Sequence, residues 1–180
     1  MSAEDTVLIA RVVASDDRAA FGELVGRHQN AVRRFLRHLS GGDAALADDL
    51  AQDTFIQAYR GLAGFRGDAS FATWLLGIAH NHWRNARRKA RDVPLQSEHL
   101  DALEPTVSPT AASDLRHDLA VALRHLAPEE RTAIHLCYQH GLSHGEAATV
   151  LGWPLGTVKS HLARAKDKLR PLLASWNPQT

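Results

Sequence analysis

The sequence predicts an all-α protein: two small helical domains joined by an extended linker, the C-terminal one a four-helix module with a helix-turn-helix. Three observations carry this. Apolar residues recur, segment after segment, at the three- and four-residue spacing of one buried helix face. A stretch holding Pro94, Pro105 and Pro109, with no sustained helical stripe, interrupts them. Near the C-terminus, Gly152-Trp153-Pro154-Leu155 separates two short helical patterns, because glycine frees the backbone and a proline ring removes a donor. Charge divides the chain in the same places. Residues 1–92 hold 13 Lys+Arg against 11 Asp+Glu, residues 93–112 none against 3, and residues 113–180 8 against 6. Residues 1–92 and 113–180 are therefore expected to be domains, with 93–112 as an acidic linker.

A first helix is expected from about Thr6 to Val13, with a break at Ser15-Asp16-Asp17. From Ala19, one side collects Phe21, Leu24, Val25, His28, Val32, Phe35, Leu36 and Leu39, which places His28 in or beside a core. Ser40-Gly41-Gly42 ends that helix. Asp43 stands where it can cap a third, with Ala47, Ala51, Thr54, Phe55, Ala58 and Leu62 inward and Asp48, Asp49, Gln52 and Asp53 gathered outward. Such a face is either simply solvated or a docking surface for a basic groove on a partner. After a turn at Arg66-Gly67-Asp68, Ser70 caps a helix with Phe71, Trp74, Leu75, Ile78 and His82 on one side. Its other side is basic, with His80, Arg84, Arg87, Arg88 and Arg91, and Asn81 at the edge. Arginines, an asparagine and the nearby Trp74 and Trp83 supply the phosphate contacts, base-edge contacts and stacking surfaces that hold unstacked single strands. A basic amphipathic helix can also lie on an anionic membrane, but here the apolar side is needed for packing against the preceding helices.

In the last third, Leu115, Leu119, Ala122, Leu123 and Leu126 form a stripe beginning at Ser113 or Asp114. Pro128 opens the next helix, Glu129 and Glu130 complement its dipole, and Gly141 closes it. Ser143 and Glu146 have capping-box spacing, and Ala147, Val150 and Leu151 point inward. A final helix, expected from near Thr157, carries Val158, Leu162, Ala165 and Leu169 on one stripe and Ser160, Arg164 and Asp167 opposite. Lys159, Arg164, Lys166, Lys168 and Arg170 crowd onto it. A core hairpin has no need of so many cations, so the major groove of duplex DNA is the expected partner.

Other functions are excluded by what the chain lacks. Net charge is only +1, so affinity for nucleic acid has to come from how charge is distributed. One cysteine, Cys137, permits no internal disulfide, and neither a transmembrane run nor a signal segment is visible; a cytoplasmic protein is expected. His135, Cys137, His140 and His144 match no usual zinc spacing. His80 and His82 point to opposite faces of a helix. With no H-E-x-x-H, no phosphate-binding glycine loop and no nucleophile elbow, no catalytic residues, metal, cofactor or small-molecule substrate are expected.

The helix DDLAQDTFIQAYRGL, the F-x-T-W-L helix ending in arginines, the linker, and the segment LAPEERTAI followed by GLSHGEAATVLGWPLGTVKSHLARAKDKL together resemble a bacterial sigma factor of the sigma-70 family, extracytoplasmic-function (ECF) group. The resemblance covers almost the whole chain. It implies a factor that binds core RNA polymerase, through the beta-prime clamp and the beta subunit, and directs initiation at a subset of promoters in response to stress or an envelope signal. Asp48, Asp49, Gln52 and Asp53 match the clamp-binding segment. Trp74, Asn81, Arg84, Arg87 and Arg88 lie in the segment that opens and reads the minus-ten element. Thr157, Lys159, Ser160, His161 and Arg164 match the helix that reads the minus-thirty-five element. Many members have arginine where this chain has His161, so that contact is expected to differ and to be pH-sensitive. The linker, with Glu98, Asp101 and Glu104, resembles a segment threaded toward the polymerase active centre, and an anti-sigma protein, often membrane-bound, is the implied regulator. Two other readings remain: a free-standing helix-turn-helix regulator that binds DNA as a dimer, and an RNA-binding protein. The first leaves the acidic helix unexplained and the second leaves the Thr157–Lys168 helix unexplained.

Overall fold

In the computed structural model, residues 2–92 and 111–173 are described, without the side chains of 91, 92 and 111–117. The helices are α1 (Ala3–Ser15), α2 (Arg18–Leu39), α3 (Ala44–Gly61), α4 (Phe71–Asp92), α5 (Ala111–Arg124), α6 (Pro128–Ile134), α7 (His144–Leu151) and α8 (Leu155–Leu172). No strand occurs among the described residues. The chain divides into two compact units, one carrying α1–α4 and the other, in the main, α5–α8. Most of the predicted acidic linker lies outside the described residues; only its last two positions fall in α5.

Each helix of the first unit starts where a side chain can satisfy its free amides. The Asp17 carboxylate accepts from Ala20 N at 3.0 Å, Asp43 from Leu46 N at 3.0 Å, and Ser70 Oγ from Thr73 N at 3.0 Å. α2, α3 and α4 pack on one another, and α1 lies on α2. Leu24, Phe35, Leu36, Phe71, Leu75 and Leu76 form the centre, nearly or wholly closed to solvent. The inner side of α3 is built of small residues, Ala47, Ala51, Thr54 and Ala58, so its backbone approaches its neighbours closely. α1 is tied down by ions. Asp5 is buried and meets His28 Nε2 at 3.2 Å and Arg27 at 3.6 Å, which makes His28 the boundary residue its position predicts.

The second unit buries Ala122, Leu126, Ala133, Leu136, Val158, Leu162 and Ala165, with α8 against α6 and α5. α6 passes into a π-helical turn, His135–Gln139, in which His140 N donates to the His135 carbonyl at 3.2 Å; Gly141, at φ 68°, then turns the chain. Ser143 and Glu146 form a reciprocal cap, Ser143 N donating to the Glu146 carboxylate at 2.9 Å and Glu146 N to Ser143 Oγ at 3.2 Å. Several boundaries differ from the pattern-based ones. α1 and α5 begin earlier, at Ala3 and Ala111. α8 begins at Leu155 and not near Thr157, because Pro154 is itself the N-terminal boundary, its carbonyl accepting from Thr157 N at 2.9 Å and Val158 N at 3.3 Å. Leu119 remains 39% exposed although it lies on the α5 stripe.

Gly152 ends α7 at φ 66°, and a Cβ built there meets nothing within 4 Å. Gly152→Ala should therefore destabilise the second unit only through left-handed backbone strain, by about 1–2 kcal/mol in chemical denaturation. A loss several times larger would mean that a side chain does not fit the turn.

Candidate partner-binding and nucleic-acid surfaces

A groove of about 870 Å³ runs between α2 and α3. Phe21, Val25, Ala51, Phe55 and Ile56 give it an apolar lining, and Asp48, Asp49 and Gln52 stand along it with Arg18, Arg33 and Arg60. The outward set predicted on α3 is exposed throughout, but Asp53 falls outside the groove lining. Asp48 is met by Arg33 at 3.1 Å, a half-exposed pair worth well under about 1 kcal/mol and easily exchanged for a partner's cation. The groove is what sequence reasoning missed, since Phe21, Val25 and Phe55 had been assigned to the core. The one signal of it was Ile56, an apolar residue 41% exposed beside the acidic side.

On α4, Asn81, Arg84, Arg87 and Arg88 are exposed. Trp74, Asn81 and Arg88 recur at intervals of seven and so run along one strip. Trp74 is half-buried, its ring 5.1 Å from Phe65 and 5.7 Å from Phe71, so it anchors in an aromatic cluster and shows only part of itself. Arg87 turns aside and stacks over Trp83 at 5.4 Å. Arg84 and Arg88, with Asn81, are thus the charged and amide groups of this strip that point outward.

On α8, Lys159, Ser160 and Arg164 are exposed, and Thr157 and His161 are half-buried. Ser160 Oγ donates to the Gly156 carbonyl at 2.8 Å. The His161 ring lies 5.2 Å from that of Trp153, and His161 Nδ1 accepts from Arg164 Nη2 at 3.1 Å. A guanidinium can only donate, so in this arrangement His161 is neutral with its proton on Nε2. Glu130 is nearly closed to solvent: its carboxylate accepts from Ala127 N at 3.0 Å and Lys168 Nζ at 2.8 Å, and it faces Arg164 Nε at 3.6 Å. Lys166 lies over the Tyr138 ring at 5.6 Å.

The description Sigma-70 region 2 matches residues 24–93, spanning most of α2 through α4, and Sigma-70, region 4 matches residues 116–169. The chain is 33% identical to the ECF RNA polymerase sigma-E factor of Haemophilus influenzae, over 94% of this chain and 97% of that protein. It is 36% identical to the RNA polymerase sigma-H factor of Pseudomonas aeruginosa, over 94% and 96%. The chain belongs to the ECF sigma factors. Two solved structures share its fold at a TM-score of 0.66 and 30% identity: CnrH in complex with the cytosolic domain of CnrY, covering 97% of this chain and 99% of that one, and RpoE in complex with the anti-sigma factor NepR from Bartonella quintana, covering 86% and 96%.

As a sigma factor, the protein binds core RNA polymerase and directs initiation at a subset of promoters, which sets aside the free-standing regulator and the RNA-binding reading. Among the described residues, no group of three or more His, Cys, Asp or Glu is placed to hold a metal, and no helix is long and apolar enough to cross a membrane. Cys137 is half-buried, and burial pushes its thiol up.

Burial alone would raise the Glu130 carboxyl. The bonds from Lys168 and the Ala127 amide, with the charges of Lys168 and Arg164, outweigh it and hold the group below its ordinary range. A carboxyl lowered on folding binds more protons in the unfolded chain than in the folded one, so stability rises with pH between the two values. The contribution of Glu130 is complete once pH exceeds the unfolded value, about 4.3, and is lost as pH falls through the folded one. Thermal unfolding of the wild type and Glu130→Gln at stepped pH should show a difference in midpoint that closes on acidification. A difference that stays constant with pH would mean that the negative charge contributes nothing.

Proposed function

We propose that residues 1–92 act as sigma domain 2, residues 93–112 as the acidic connection and residues 113–180 as sigma domain 4. Asp48, Asp49, Gln52 and Asp53, with the groove beside them, take the coiled-coil clamp of the beta-prime subunit, and a second contact is made on the beta subunit. Trp74, Asn81, Arg84, Arg87 and Arg88 engage the opened minus-ten element. Thr157, Lys159, Ser160, His161 and Arg164 enter the major groove of the minus-thirty-five element. The factor works in the cytoplasm without catalysis of its own.

The observation that carries this reading is the groove between α2 and α3, whose apolar floor and acidic rim suit a helical partner that brings apolar side chains and cations together. The exposed arginines of α4 and the cation-rich outer side of α8 support two separate nucleic-acid contacts. The complex of RpoE with an anti-sigma factor supports a further part of the reading: an anti-sigma protein, membrane-bound or attached to one that is, holds this chain inactive until a signal releases it.

Asp49→Arg places a cation on the acidic rim and should abolish assembly with core polymerase, a loss on the order of several kcal/mol, while thermal unfolding stays normal. Assembly equal to wild type, measured by co-elution, would remove the clamp assignment. The double change Arg84→Ala with Arg88→Ala should weaken holoenzyme binding to a bubble template far more than to an upstream duplex, and lower the salt slope by about 1.4. Equal losses on both templates would remove α4 from strand opening.

A further inference from the structure

The charge network at the N-terminus of α6 reaches the DNA-facing side of α8. Glu130 is fixed from its own helix by the Ala127 amide at 3.0 Å, and its carboxylate meets two cations one helical turn apart on α8, Lys168 at 2.8 Å and Arg164 at 3.6 Å. Arg164 is then held a second time, by its Nη2 donating to His161 Nδ1 at 3.1 Å, and His161 is braced against Trp153 at 5.2 Å. Two anchors on one planar group define its plane. An exposed arginine ordinarily samples many rotamers, and that freedom is lost when it docks on a base. Here the side chain is still 58% exposed while its orientation is constrained. The outer end of the guanidinium, Nη1 with the remaining Nη2 hydrogen, is the edge that forms a bidentate contact with guanine O6 and N7.

We infer that Glu130 is a positioning residue for promoter reading: from the buried N-terminus of α6 it sets the Arg164 guanidinium, with neutral His161 as the second support, so that one base pair is read by a pre-ordered arginine. This rests on α8 being the recognition helix. Glu130 touches no base itself; it acts through Arg164. A purely structural bridge between α6 and α8 would stabilise the unit and leave base preference alone.

The test uses holoenzyme made from the full chain and core polymerase, incubated with duplex promoter fragments randomised across the upstream element, with the bound fraction sequenced. Arg164→Ala first identifies the position that Arg164 reads. Glu130→Gln, which keeps the shape and a hydrogen-bonding oxygen but removes the charge, should flatten preference at that same position by roughly three- to tenfold, part of the discrimination a bidentate contact supplies. Other positions should keep their preferences, and the double variant should be no flatter than Arg164→Ala alone. Lys168→Met should lower the unfolding midpoint without flattening that position. If Glu130→Gln lowers the midpoint but leaves every base preference intact, or weakens all sequences alike, the positioning role is wrong. Should that variant fail to fold, His161→Phe, which keeps the stack on Trp153 and loses Nδ1, has to flatten the Arg164 position; flattening elsewhere or nowhere overturns the inference. If Arg164→Ala alters preference at no position, the assignment of α8 as a base reader fails, and the inference about Glu130 fails with it.

Discussion

Every helix in this protein has one side that must be buried, and none of the shorter ones would persist alone, because nucleating a helix is unfavourable and most helical stability comes from packing. That requirement fixes where function can be. In the first unit α2, α3 and α4 bury Leu24, Phe35, Phe71, Leu75 and Leu76 among themselves, and the polar residues left over define the surfaces available to partners. α3 shows the consequence most clearly. Its inner side is alanine and threonine, so the helix sits close in, and its large apolar residues Phe55 and Ile56 lie toward the flank, where they line a groove against α2. The carboxylates of Asp48 and Asp49 stand on this rigid shelf and not on a loop, so their spacing is set before any partner arrives.

The second unit is smaller, and a small unit buries a smaller share of its surface. It holds a charge inside. Burying Glu130 is costly unless its carboxylate is met, and three groups from two helices meet it. Buried ion networks of this kind add little net stability compared with apolar packing, and their better-attested use is to specify one arrangement over others. In this unit the arrangement specified is the placement of α8 against α6, together with the direction in which Arg164 is presented. The tilted stack of Trp153 on His161 extends the same network into the turn between α7 and α8.

The sequence was most informative where the relevant physics is local. Capping pairs such as Ser143 with Glu146, the acid before α3 and the serine before α4 depend on residues three apart, and each forms the bond its spacing predicts. Helix phase is also local, and it put Asp48, Asp49, Gln52 and Asp53 outward and Val158, Leu162 and Ala165 inward. What could not be read were partners distant along the chain. Glu130 looked like an ordinary dipole-complementing acid because Lys168 lies 38 residues away, and nothing in the spacing of either connects them. Trp74 was assigned to one side of α4 correctly, but its contact with Phe65 from the preceding turn, which half-buries it, involves a loop that periodicity does not describe. The groove between α2 and α3 belongs to neither helix alone, so no pattern within one helix could reveal it.

The wide turn at His135–Gln139 bears on how this module tolerates changes in length. A π turn is a helix that has taken in an extra residue while keeping its hydrogen bonds, here from His140 N to the His135 carbonyl at 3.2 Å. Removing one residue would let the backbone close to an ordinary α-helical turn with every amide still paired, yet everything after it would be rotated by about 100°. Gly141 and the helix-turn-helix follow at once. A single-codon deletion at this place would thus be nearly silent for backbone pairing and disruptive for the angle at which α8 meets a groove, so alignment gaps between this protein and its relatives carry more meaning here than in an exposed loop.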